Sequence, residues 1–154
     1  YIHLIGIMMK SKDFKQLQDC ACFKVRKTSR MITQLFDHAL KPSGIKATQF
    51  TLLVVLVNEG EMAIKELASS LGMDSSTLTR GIVRLEKEGL IKSREGDDAR
   101  QRFVALTTKG MQQLNDSIPY WEKAQDAMKN GLSDKFPGFL DTLETVLKSQ
   151  QTKF

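Results

Sequence analysis

The sequence predicts a mainly α-helical chain carrying one small β-hairpin, and three observations say so. Residues 62–87 hold two short stretches of helical apolar spacing separated by a glycine turn. Residues 91–106 hold two short alternating runs around a charged, glycine-containing tip. Long stretches of helical apolar spacing flank this block on both sides.

Taken in order, Asp19 to Leu40 reads as a long helix, with Val25, Met31, Ile32, Leu35, Phe36, Ala39 and Leu40 on its apolar side. Pro42-Ser43-Gly44 breaks it. Thr48 to Val57 is a second helix, apolar at Phe50 and from Leu52 through Val57, and is expected at the buried centre. Ile64, Leu67, Ala68 and Leu71 then fall at the i, i+3, i+4, i+7 spacing of a helix packed on one side. Gly72 supplies the turn, because glycine takes a positive φ past a helix end without steric cost. Asp74 or Ser75 caps the next helix, where Leu78, Ile82 and Leu85 fall within one narrow arc.

Gly89 closes that helix, Ile91 to Glu95 form a strand, Gly96 opens a polar tip, and Phe103 to Leu106 return. Thr107 is expected to cap a helix running to about Asn130, with Gly131 ending it. Ser133 starts the last helix, whose Phe136, Phe139, Leu140, Leu143, Val146 and Leu147 keep helical spacing. Pro137 is tolerable there because it falls in the first turn.

Helix, turn, helix and charged hairpin in that order describe a winged helix-turn-helix, a device that places a helix in the DNA major groove. Opposite its apolar arc, the second helix carries Ser76, Arg80, Val83, Arg84 and Lys87. Its hydroxyl and guanidinium groups pair with base edges and phosphates, arginine through its bidentate fork to guanine. Ser75, Ser76 and Thr77 sit at the helix N-terminus, where free N–H groups and the dipole favour a phosphate, and Thr79 follows one turn on. On the hairpin, Arg100 is expected to enter the minor groove with Asp98 orienting it, and Arg102 adds a further cation. Any one of these residues alone reads as a solvated surface charge; together, in register, they read as a site for double-stranded DNA.

The net charge of +5 favours an anionic partner. Its distribution does not carry the assignment, because the excess lies in residues 1–46, with Lys10, Lys12, Lys15, Lys24, Arg26, Lys27, Arg30, Lys41 and Lys46 against Asp13, Asp19 and Asp37. The reader segment is near neutral, so sidedness decides. A hydrophobic content of 41% and a charged content of 27% fit a single soluble domain with an adequate core. No apolar run approaches the ~20 residues of a membrane span, and a cytoplasmic chain without a membrane partner is expected. Residues 1–9 are apolar but lack the basic start and small-residue cleavage site of a signal peptide. They are expected to be a disordered or artefactual extension, with Met8 or Met9 as the natural start.

These residues resemble the MarR family of bacterial transcription regulators. The similarity runs from about Leu17 onward and includes Lys41 to Leu53, Asp98-Ala99-Arg100 in the wing, and Leu106-Thr107-Thr108-Lys109-Gly110 after it. The resemblance implies one domain over 10–154, with dimerisation helices at 10–46 and 107–154 and the winged reader at 47–106. It also implies a homodimer that represses nearby genes and is relieved by a small molecule or an oxidant. Dimerisation is expected on physical grounds as well, since the first and last helices carry more apolar surface than a compact reader needs. A two-fold dimer would read a pseudo-palindrome with half-sites ~10 bp apart. A pocket between the dimer helices and the reader is expected to take an aromatic or other apolar effector.

Cys20 and Cys22 are the only cysteines. At i and i+2 on a helix they point to nearly opposite sides, so a disulfide between them is strained. With His3 and His38 as the only histidines, they make a poor zinc site, and no cofactor is expected. The plain expectation is small buried core residues. Cys22-Phe23 followed by Ser29-Arg30 nevertheless resembles the organic-hydroperoxide-sensing branch of the family, in which a first-helix cysteine is oxidised and DNA released. The two tyrosines that hold the thiolate in that branch match Arg26 and Phe36 here, a departure, although Arg26 lies one turn from Cys22 where its charge favours a thiolate. No nucleophile elbow, phosphate loop or zinc-protease motif is present, so an enzyme is not expected. A winged helix serving only a protein partner is the remaining alternative, disfavoured by Arg80, Arg84 and Arg100.

Overall fold

A computed structural model describes residues 19–98 and 101–151. The chain resolves into two compact units, 1–35 and 36–154, divided within the first described helix. Helix α1 (Ala21–Leu40) is followed by a 3-10 turn at Lys41–Ser43 and by α2 (Ala47–Glu59). Strand β1 (Met62–Ala63), α3 (Ile64–Ser70), α4 (Ser75–Lys87), β2 (Ile91–Glu95) and β3 (Arg102–Leu106) come next. Helix α5 (Thr108–Leu132), a second 3-10 turn and α6 (Phe136–Gln151) complete the order.

In the second unit, Leu40, Leu53, Leu67, Leu78, Ile82, Leu85 and Val104 are fully buried and fuse α2, α3, α4 and the sheet into one core. Removing each such side chain from water stabilises by about 1.5–3 kcal/mol. Phe50 stacks on Trp121 of α5 with ring centroids 6.2 Å apart, tying α5 to the reader. Helix α2 is apolar on most sides but buries one face, and Val57 is exposed. Its N-terminus is closed from outside, the Ala47 N–H donating to Asp37 Oδ1 at 2.7 Å. Gln49 is buried and satisfied, its Oε1 accepting from the Lys46 N–H at 2.9 Å and its Nε2 donating to Glu88 at 3.3 Å.

The hairpin is part of a three-stranded antiparallel sheet in the order β1-β3-β2. Met62 pairs with Val104, which pairs with Ser93, and Ala63 pairs with Phe103, which pairs with Arg94. The third strand escapes sequence reading because two residues are too few to show alternation. Strand alternation gives the sheet two faces. Ile91, Ser93, Arg102, Val104 and Leu106 share the face that holds the buried Val104, while Arg94 and Phe103 share the other. On that outer face Arg94 lies over the Phe103 ring, 4.7 Å from its centroid, and its Nε donates to both Glu61 oxygens at 3.0 Å. One side chain thereby spans the sheet. The Arg94 hydrogen bond holds the Glu61 carboxyl below its usual 4.5.

The junction after the wing is tight. The Thr107 hydroxyl donates to Gly89 O at 2.7 Å and accepts from the Gly110 N–H at 3.0 Å, capping α5 as expected. A Cβ on Gly110 would overlap the Leu90 carbonyl oxygen and lie 2.7 Å from Leu106 Cδ1, so only glycine fits. Helix α5 contains Pro119, which removes one backbone donor from the ladder. It also runs through Gly131 to Leu132, and Ser133 rather than a glycine takes the positive φ, 49°. The last helix accordingly starts at Phe136, after a 3-10 turn over Ser133–Lys135.

Helix α1 starts at Ala21, with Asp19 in a turn before it whose carboxylate accepts from Lys24 Nζ at 2.8 Å. Residues 21–31 are exposed throughout, including Val25 and Met31. Cys20 and Cys22 are exposed too, which corrects the expectation of buried core residues. Residues 1–9 lie outside the described residues. Among the described residues, no helix is long and apolar enough to cross a membrane, and no cluster of three metal-ligating side chains occurs.

Replacing Gly110 with alanine is expected to destabilise by about 1–3 kcal/mol, read as a lowered urea midpoint by Trp121 fluorescence. A depressed carboxyl contributes stability above its unfolded pKa and loses it as pH falls through the folded value. The urea midpoint should therefore drop on acidification below 4.5, and drop less in Glu61→Gln or Arg94→Ala.

Candidate nucleic-acid interface

Helix α4 is held from three directions. Leu78, Ile82 and Leu85 are fully buried beneath it. At its start the Thr77 N–H donates to Asp74 Oδ1 at 2.8 Å, so Asp74 is the cap. The same carboxylate receives the Ser76 hydroxyl on Oδ1 at 2.6 Å and the Thr77 hydroxyl on Oδ2 at 2.7 Å. The hydrogen bonds from Ser76 and then Thr77 hold the Asp74 carboxyl far below the usual carboxylate range. Toward its end, Glu86 accepts from Arg102 Nη2 on both oxygens, at 2.9 and 2.8 Å. Arg102 Nε donates to Ser93 Oγ at 2.7 Å, and the Ser93 hydroxyl donates in turn to Glu86. Helix and wing are thereby joined through a partly buried ionic cluster.

The outward face of α4 carries Ser76, Arg80, Val83, Arg84 and Lys87, all exposed. Arg80 and Lys87 make no hydrogen bond or ion pair with a described residue. Arg84 Nε donates to Glu88 Oε1 at 3.0 Å, and Glu88 also accepts from Gln49, which links the helix end to α2. Val83 is 53% exposed, an apolar side chain in a charged row. The Thr79 hydroxyl donates to Ser75 O at 2.6 Å, one turn back.

The sites expected from sequence thus separate. Ser76, Arg80, Arg84 and Lys87 share the outward face; Ser75 and Thr79 line an open cleft with Lys65, Arg102 and Phe103. Thr77 lines a different, apolar cavity of about 410 Å³ between α2 and α4, with Thr48, Leu52, Leu71, Met73 and Gly81. Arg102 is exposed but engaged with Glu86. Asp98 is exposed in the wing tip, where the Gln101 N–H donates to its carbonyl at 2.8 Å. Arg100 lies outside the described residues.

Sequence reasoning missed Glu86, Ser93, Glu61 and Arg94 as groups that position the reader. For the first two the signal was strand parity, since Arg102 shares its face with Val104 and Leu106. For Glu61 no signal existed until β1 was known. The apolar cavity just described lies within the reader segment, between α2 and α4.

Comparison with known proteins bears on this geometry directly. The MarR family model matches residues 45–101. YwoH, an uncharacterized HTH-type transcriptional regulator of Bacillus subtilis, is 30% identical over 125 residues, which cover 76% of this chain and 91% of that protein. The organic hydroperoxide resistance transcriptional regulator of the same bacterium is 30% identical over 99 residues, 64% of this chain and 67% of the relative. Among solved structures, the M. tuberculosis transcriptional regulator MosR in complex with DNA is similar, with a TM-score of 0.76 and 30% identity over 88% of this chain and 99% of that one. These relatives are transcriptional regulators rather than enzymes. On the winged reader built around α4 and on these relationships, the chain belongs to the MarR family of DNA-binding transcriptional regulators.

Proposed function

We propose that the protein is a repressor that binds a pseudo-palindromic operator as a homodimer, with α4 in the major groove and the wing tip in the minor groove. The observation that carries this is the outward face of α4. Arg80 and Lys87 stand exposed on it without a partner among the described residues, while the apolar side is locked into the core. Ser75, Ser76, Thr77, Thr79, Arg80, Arg84 and Lys87 are the proposed DNA contacts of α4. In the wing, Asp98 and Arg100 are the proposed minor-groove pair, a role resting on the Asp98-Ala99-Arg100 sequence alone. Arg102 is assigned as a positioning residue that sets the wing against α4 through Glu86.

The homodimer is supported in each unit separately. Phe23, Val25 and Met31 of α1 and Leu140, Leu143, Val146 and Leu147 of α6 expose apolar surface that a partner copy would cover. Release by a small apolar ligand is supported by the cavity between α2 and α4, because a ligand there touches both the core helix and the reader. A second reading, a thiol-based organic peroxide sensor using Cys22, is supported by the exposure of that thiol and by the hydroperoxide-resistance relative.

Fluorescence anisotropy on upstream DNA tests the assignment. Wild-type binding is expected to weaken steeply between about 50 and 200 mM salt, and Arg80→Ala to cost at least tenfold, on the order of one good base contact. Sedimentation of the free protein as a monomer, or binding indifferent to Arg80 and Arg100, overturns the proposal. An organic hydroperoxide that abolishes binding in wild type but not in Cys22→Ser selects the thiol reading. Unchanged binding removes it and leaves the small ligand.

A further inference from the structure

We infer that Asp74 fixes the hydrogen-bond polarity of the first turn of α4, so that Ser76 recognises an amino group on a base edge and rejects a keto oxygen there. The inference rests on the reading of α4 as the major-groove helix. A serine hydroxyl ordinarily serves as donor or acceptor, and so discriminates poorly between bases. Here its single proton is committed: Ser76 gives it to Asp74 Oδ1 at 2.6 Å, and Thr77 gives its own to Oδ2 at 2.7 Å. Thr79 spends its proton on Ser75 O at 2.6 Å. Only lone pairs remain for a ligand on these three oxygens.

An ionised carboxylate has no proton to return, and the bonds it receives are charge-assisted, hence strong. Turning the Ser76 hydroxyl outward would sacrifice such a bond. In the major groove every base pair offers one amino and one keto group, adenine N6 with thymine O4 or cytosine N4 with guanine O6. A keto oxygen facing Ser76 would bring two acceptors together; an amino group completes the bond. Ser76 is the hydroxyl that matters, because it lies on the exposed arc with Arg80 and Lys87, whereas Thr77 and Thr79 line the flanking cavities at the edges of that arc. The outward face is thereby divided, accepting in its first turn and donating from Arg80 onward.

The test uses the full chain. Operators are selected from random DNA by wild type and by Ser76→Ala, and the base pair at which the two differ is identified. Single groups are then deleted at that pair. Purine for adenine or 2-pyrimidinone for cytosine removes the amino group; 5-methyl-2-pyrimidinone for thymine or 2-aminopurine for guanine removes the keto oxygen. Amino deletion is expected to weaken wild type about three- to tenfold more than Ser76→Ala, the size of one hydrogen bond, and keto deletion to affect both equally. Asp74→Ser keeps a helix cap but frees the Ser76 proton, and should lose the amino dependence.

Coupling of Ser76 to the keto oxygen, no coupling at any pair, or an Asp74→Ser variant that behaves as wild type overturns the inference. Each of these leaves operator binding and its dependence on Arg80 intact. Failure of the wild type to select any operator overturns the α4 reading itself.

Discussion

What α4 can present outward depends on the cluster that joins Glu86, Ser93 and Arg102 on its inward side. Apolar burial of Leu78, Ile82 and Leu85 holds the helix down, but burial is non-directional and leaves rotation and tilt weakly defined. The cluster supplies direction. Arg102 reaches both Glu86 oxygens and the Ser93 hydroxyl, so one side chain fixes the helix against two strands at once. Glu86 is 23% exposed, which takes it partly out of water and strengthens bonds that would be screened on an open surface.

The same economy of cations runs through the reader. Arg84 is paired with Glu88, Arg94 with Glu61, and Arg102 with Glu86. A near-neutral segment therefore does not mean an inert one, because its acids are used to orient its own arginines. Among the described residues, Arg80 and Lys87 are the cations of α4 without an ion pair, and the helix rather than a carboxylate sets their direction. Attraction to a polyanion is in this way local to one face, and the overall charge of +5 says little about it.

Around this reader the wing and α5 are joined with little slack. Gly110 brings the start of α5 against the Leu90 carbonyl, and the Thr107 hydroxyl serves Gly89, Leu90 and its own helix cap together. The start of α5 is thus in direct contact with the residues that follow α4. Phe50 on Trp121 makes a second connection, from α5 into α2.

Much of this fold was legible in the sequence, because its elements announce themselves locally. The 3.6-residue spacing of Leu67, Ala68 and Leu71 and of Leu78, Ile82 and Leu85, the glycine at 72 and the Thr107 cap are properties of neighbouring residues, and each stands where it was read. The failures share a different cause. Two residues at 62–63 become a strand only because β3 passes beside them, and Cys22 is exposed because α1 buries nothing along its first half. The sequence by itself determined which residues line the outward arc of α4 and which lie beneath it, since periodicity assigns faces. Only the tertiary structure decided which of those groups are free and which way their protons point. Glu86 meets Arg102, and Arg94 meets Glu61, only after strands distant in the chain have paired.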